Sequence, residues 1–346
     1  MAYTSIDDPS AHFHVQLYTG TGSTQSVGND GNSNLKPDWV WIKKRNSSGN
    51  NGLFDSSRGA TKELVSNGGN AESTDAQLLT QFDTDGFTVG TNSGVNGSSD
   101  TFVAFQWKAN GGTTSSNSDG NSTTTVQANT TAGFSIVLGS FTGSTQTYGH
   151  GLGVTPNIVL WKNRSNTNSW LLLTNAIDGT QDYGILNGTN AFSAITYGFS
   201  STTFEGNDDA STNFVAYCFA EKQGFSKFGK YKGNGNSDGA FVYTGFKPRW
   251  IMVKRTDDSG YHWRIYDTKR SSSDGSNPLD ERVNANLDEA EGTHASDFDI
   301  DALSNGFKFR TSSQINVSNG IYFYMAFAEN PFVTSDDGGS IPTTAR

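Results

Sequence analysis

The sequence predicts an all-β protein of three tandem antiparallel β-sandwich units related by internal repeat. Three observations carry that reading. A strand pattern opening on a proline is written three times, as PDWVWIKKR at Pro37–Arg45, PNIVLWKNR at Pro156–Arg164 and PRWIMVKR at Pro248–Arg255. Glycine is 40 of 346 residues and aromatics reach 12%, the balance of short aromatic strands joined by polar turns. No long stretch keeps the 3.6-residue apolar period of an amphipathic helix.

Each copy of the proline pattern reads as a strand, since proline suits a strand's beginning, where no N–H is owed to the ladder. A large apolar residue follows two positions on (Trp39, Ile158, Trp250), and a lysine six positions on (Lys43, Lys162, Lys254). The run between them is apolar without a gap, so both faces should be covered. The lysines are expected to mark the exit to solvent. A polar turn and a second strand come next. Asp55 with Arg58, and Asp267 with Arg270, keep one i, i+3 spacing, read as an ion pair that locks the turn rather than as a binding pair. The second copy, WLLLTNAIDG, lacks the arginine. Asn67 with Ala71 and Glu72 repeats as Asn286 with Ala290 and Glu291. TDGFTVG, with Phe87, matches SNGFKFR, with Phe307, and more loosely SSTTFEG, with Phe204. The closing strands TFVAFQW, NFVAYCFA and YFYMAFAE share Ala104, Ala216 and Ala326.

These repeats place units at residues 1–110, 132–223 and 224–333, each the size of a small sandwich. Residues 111–131 are nearly all Gly, Ser, Thr and Asn and read as a linker or loop. The join EKQGFSKFGKY is short, so the second and third units are expected to pack as a rigid pair. Residues 334–346 read as an extended C-terminal arm.

A net charge of −10 argues against a nucleic-acid groove, which needs clustered cations, and does not favour anionic membranes. No secretory signal and no spanning segment is apparent, so membrane insertion is not expected. The one cysteine, Cys218, excludes an intrachain disulfide and reads as a buried small hydrophobe. His12, His14, His150, His262 and His294 are scattered; His12 and His14 would share a strand face, but two ligands do not make a zinc site. Asp83, Asp85, Asp238, Asp299 and Asp301 fall in turn-like stretches and read as turn-formers, with calcium binding as the alternative, although none matches an EF-hand loop. There is no GxSxG elbow, HExxH or Walker-type loop. No cofactor, no metal and no catalytic residue is therefore expected. What remains positive is aromatic side chains on polar loops. Trp170, Tyr183, Tyr261 and Trp263, together with Tyr197 and Trp107, are candidates to stack on a glycan or a partner, with ordinary core as the alternative for each.

The stretches GKYKGNGNSDGAFVYTGFKPRWIMVKR, WRIYDTKR, LSNGFKFR and YMAFAENPF resemble the C-terminal part of uncharacterised virion structural proteins of tailed phages, especially those of marine bacteria. SIDDPSAHF, PDWVWIKKR, LFDSSRGATKELVSN and FDTDGFTVG are similar to the same family. The resemblance spans most of the chain and is strongest in units one and three; unit two lacks the Asp–Arg turn and the DGF or NGF signature. It implies concanavalin-A-like or jelly-roll sandwiches. It also implies a late gene product made in the bacterial cytoplasm and built into the virion beside other virion proteins, as a homo-oligomer with a trimer favoured. The expected role is a tail-fibre or receptor-binding component touching host surface polysaccharide, with a capsid decoration, head-fibre or tail-adaptor protein as the alternative. A glycan depolymerase, which needs paired carboxylates in a cleft, is the alternative from a different class.

Overall fold

The computed structural model describes residues 4–270, 277–293, 299–331, 333–336 and 339–342. The chain is all-β, and its strand ladders are antiparallel. Each repeat builds one large sheet in one strand order. The opening strand (Phe13–Thr19, Phe134–Phe141, Ser226–Lys232) pairs with the closing strand (Thr101–Trp107, Thr212–Phe219, Ile321–Pro331). The closing strand pairs with the proline strand (Trp39–Lys44, Ile158–Asn163, Phe246–Arg255), and that with a second strand (Asn51–Asp55, Leu171–Thr174, Arg264–Asp267). Two short strands complete each sheet. A smaller sheet packs on one face: Gln25–Val27, Leu79–Phe82 and Phe87–Val89 in unit one, Gln146–Gly149 and Thr203–Gly206 in unit two, and Phe241–Tyr243, Ile300–Leu303 and Gly306–Phe309 in unit three. Phe87, Phe204 and Phe307 are all buried beneath these small sheets, so the looser third match is a true structural equivalent.

The gapless apolar runs have a specific cause. Alternate side chains of a strand face opposite ways. Val40 and Ile42 pack against unit one's own small sheet, with Phe87 and Ala104. Trp39 and Trp41 face the other way, into one apolar core that all three units share. Trp39 stacks on Tyr217 of unit two at 4.3 Å, and Trp107 meets Trp250 of unit three edge-on at 5.7 Å. Phe219 and Phe327 close the ring at 5.9 Å. The expected packing of units two and three is therefore joined by unit one, all three sharing one core.

Several expectations are corrected. Residues 111–131 carry two strands, Ser115–Asn117 and Thr124–Asn129, which extend unit two's sheet to eight strands. In the tail, Val333–Asp336 pairs with Gly339–Pro342 as a hairpin. Pro37 and Pro156 precede their strands, but Pro248 lies inside a ten-residue strand at a register shift, a bulge that accommodates its missing donor. The third alanine match slips by two. Ala104 and Ala216 lie opposite residues five past the proline, while Ala326 lies opposite Ile251, three past it. Tyr324, opposite Val253, fills the equivalent place.

Lys43, Lys162 and Lys254 do not exit to solvent; all three are buried. Their ammoniums donate to backbone carbonyls: Lys43 to Gly49 (2.6 Å), Lys162 to Asn166 (3.0 Å) and Lys254 to Arg255 (2.6 Å). Burial brings each down to about 8 from the ordinary 10.5.

The polar turns join the units. Arg58 pairs with Asp55, donates to the Leu53 carbonyl (2.9 Å) and reaches Glu72 (3.2 Å). Arg164 of unit two grips the same Glu72 with two bonds of 2.8 and 2.9 Å. Unit three repeats the device toward unit one: Arg270 pairs with Asp267 and Glu291 (2.8 Å), and Arg45 grips Glu291 through bonds of 2.7 to 3.0 Å. At the joint of units two and three the corresponding residues are Thr174, Ile177, Phe192 and Thr256. The backbone contact is kept, with the Phe192 N–H donating to the Thr256 carbonyl at 2.8 Å as the Glu72 N–H does to Arg164. The Phe192 ring packs on Trp263 and Phe323 instead. One joint has thus replaced the whole charged set by apolar or neutral side chains.

Two outcomes follow for stability, both read by denaturant titration. Arg58→Ile alone leaves Asp55 and Glu72 without their shared cation and should cost about 3–5 kcal/mol. Adding Asp55→Thr, Glu72→Phe and Arg164→Thr, which copies the apolar joint, should restore most of the loss; further additive loss would show that the four residues do not act as a unit. For the lysines, the folded chain binds fewer protons than the unfolded chain between pH 8 and 10.5. Their contribution is therefore full above 10.5 and is lost as pH falls through 8. The denaturation midpoint should rise from pH 7.5 to 9.5, and the rise should flatten in the triple Lys→Met variant at 43, 162 and 254. A flat profile in the parent chain would contradict the burial of these ammoniums.

Candidate functional site

The chain crosses two of its three joints covalently, and the crossing peptide fills the space there. Between units one and two, the buried Asp38 carboxylate accepts from the Ala109 (2.7 Å) and Gly111 (2.8 Å) N–H groups. Gln127 accepts from Asn110 (3.1 Å) and Gly112 (2.7 Å). Gly111 and Gly112 sit at φ +65° and +87°, left-handed conformations that suit glycine and turn the chain across the joint. Between units two and three, Asn157 accepts from the Glu221 N–H (2.9 Å). Asp38 and Asn157 each stand one residue past their proline. In unit three that place is Arg249. Among the described residues no peptide crosses from unit three to unit one. Past Asn330 the strand runs straight on beside Phe246 instead of turning.

A cleft of about 240 Å³ opens at this unbridged joint. Its unit-one wall is the turn Pro9–Ala11, the start of the opening strand and the loop at 30–32. Its unit-three wall is Arg249, Lys269, Glu329 and Asn330. Asp8 caps the turn, accepting from the Ser10 N–H (3.0 Å), the Ser10 hydroxyl (2.6 Å) and the Ser33 hydroxyl (2.5 Å). Those bonds outweigh burial and hold its carboxyl below the usual range. His14 Nε2 lies 3.1 Å from Asp30 and 3.2 Å from the Gln16 carbonyl oxygen, and burial pushes the imidazole down, toward its neutral form. Asp30 bridges the units: its other oxygen accepts from Lys269 at 2.7 Å, which outweighs burial and lowers its pKa. Lys269 stands in the same turn as Asp267 and Arg270, so the pair that locks the joint also aims this ammonium into the cleft. Glu329 takes Lys247 at 3.0 Å and Arg249 at 3.5 Å.

Asp8 and Asp30 are shifted down, opposite to what a general acid for glycoside cleavage requires. The Ser10 hydroxyl is engaged by Asp8, so a Ser10–His14 nucleophile–base bond is not formed.

The aromatic candidates fall elsewhere. Trp170 and Trp263 are fully buried in the shared core and present no face to solvent. Each indole N–H instead donates across a joint, Trp170 to the Val65 carbonyl (2.8 Å) and Trp263 to the Ile185 carbonyl (2.9 Å). Asn51 holds the same place in unit one and reaches the Asn284 carbonyl at 3.3 Å. Tyr183 is half-buried against unit two's own core, and Tyr261 lies under the Arg255 guanidinium, 4.5 Å from its ring centre. Trp107 is core, and Tyr197 packs on Trp161. Among the described residues the large aromatics that are exposed are Phe241 and Tyr243 of unit three. His12 and His14 part company, His12 turning to Asn129 of unit two. His150 and Cys218 are buried, His262 bonds Asn286, and His294 lies outside the described residues. Among the described residues no cluster of His, Cys, Asp or Glu could hold a metal, and no helix is long and apolar enough to cross a membrane.

Sequence reasoning missed the cleft because its residues come from five separate stretches and only His14 among them had been singled out. No curated protein and no solved structure matches the chain significantly. Residues 8–331 match the family described as a domain of unknown function, DUF7483, and the chain belongs to that family.

Proposed function

We propose that the chain is a non-catalytic structural protein of a tailed-phage virion, a tail-fibre or receptor-binding component that contacts host surface glycan. Each unit, in this reading, is a jelly-roll or concanavalin-A-like sandwich. A capsid decoration or tail-adaptor position is the alternative. The resemblance of the repeated stretches supports the virion setting. The observation that carries the reading is the shared core: the large sheets of three repeats each bury one face in a single apolar cluster. One chain then supplies the three-unit block for which the sequence alone suggests three chains. Such a block needs no partner to complete its interior.

Light scattering on purified protein should give the mass of one chain; a stable trimer would return the threefold contact to association between chains. Cryo-EM of purified particles should then locate the block at the distal tail. Density over the capsid lattice or at the portal would favour the decoration or adaptor role, and absence from the particle would end the virion reading.

A further inference from the structure

We propose that the cleft between units one and three binds one neutral sugar residue, recognised through its hydroxyl groups. The inference rests on the reading above for the source of the ligand, a host glycan, but not for its chemistry.

The charged groups of the cleft are already engaged, which disfavours an ion as the natural occupant. Asp30 is held by Lys269, Glu329 by Arg249 and by Lys247 behind it, and Asp8 by the Ser10 and Ser33 hydroxyls. A charged ligand would have to displace one of these partners. A neutral polyol does not, because paired carboxylates and guanidiniums keep lone pairs and N–H groups that bond hydroxyls strongly. Size points the same way: about 240 Å³ is below the roughly 300–1,000 Å³ of drug-sized pockets and suits a single ring.

Two further observations concern the rim. Asn32 and Asn330 stand on opposite walls, both exposed, and neither carboxamide makes a hydrogen bond to any described residue. Each offers a donor and an acceptor, the pair that adjacent sugar hydroxyls require. Between them Gly31 keeps the loop close to the floor. A Cβ there would stand 2.9 Å from Ser10 Cβ and 3.2 Å from His14 Nδ1, pushing on both.

The test is titration with glucose, galactose, N-acetylglucosamine and glucuronate, followed by backbone amide NMR. At least one neutral sugar should saturate, moving the amides of Gly31, Asn32 and Asn330. The double variant Asn32→Ala, Asn330→Ala should weaken that binding about tenfold, the scale of one or two lost hydrogen bonds. Its denaturation midpoint should be unchanged, since neither side chain holds the fold. Three results would overturn the proposal: no neutral sugar saturates, the double variant binds as the parent does, or glucuronate alone binds, which would make the cleft an anion site. The particle location is read independently of sugar binding. Failure here therefore leaves the virion reading standing, and absence from the particle leaves a measured sugar site standing.

Discussion

The structure depends on one constraint: each large sheet is apolar on both faces, so neither face can be left in water. A small sheet covers one face within each unit. The other face has no cover of its own, and the three faces solve the problem jointly. Burying a large aromatic side chain is worth several kcal/mol, and the core holds such side chains from every unit. A unit cut from the chain would expose Trp39 and Trp41, or Trp250 and Trp263, to solvent. The repeat is therefore a building block and not an independent domain, in contrast to the tandem arrangement that the repeat spacing suggests.

Much of the architecture was legible because strand physics is local. The first two proline strands, the Asp55–Arg58 and Asp267–Arg270 pairs and the short strands holding Phe87, Phe204 and Phe307 are features that short windows carry. What failed was non-local. A gapless apolar run says that both faces are covered, but not by what, so Trp170 and Trp263 read as candidates for a surface that they never reach. A lysine after an apolar run says where a strand ends only if no carbonyls wait there, and at Lys43, Lys162 and Lys254 they do. The polar composition of residues 111–131 concealed two strands because an edge strand with one wet face needs few apolar side chains.

The two charged joints and the one apolar joint make a comparison inside a single molecule. Buried ion pairs recover little net stability over apolar packing, since desolvating two ions offsets most of their attraction. The Phe192 joint shows that the fold tolerates the apolar solution. What the charged joints add is selectivity of pairing. Glu72 accepts Arg164, and Glu291 accepts Arg45, whereas Phe192 would leave either arginine unpaired. Three similar sheets are thereby steered into one cyclic order.

That cyclic order bears on how the molecule comes to be made. Arg58 and Glu72 are 14 residues apart, and Arg164 meets Glu72 across 92. The contact of Arg45 with Glu291 spans 246. Bringing chain ends together costs entropy that grows with the intervening length, and contacts of long span form slowly. The first seam can close while the chain is still being synthesised, but the last cannot exist until strands near residue 290 have emerged from the ribosome. Until then Trp39 and Trp107 face water on the side that unit three will cover. The nascent chain thus spends most of its synthesis as an open ring, with that apolar side still uncovered.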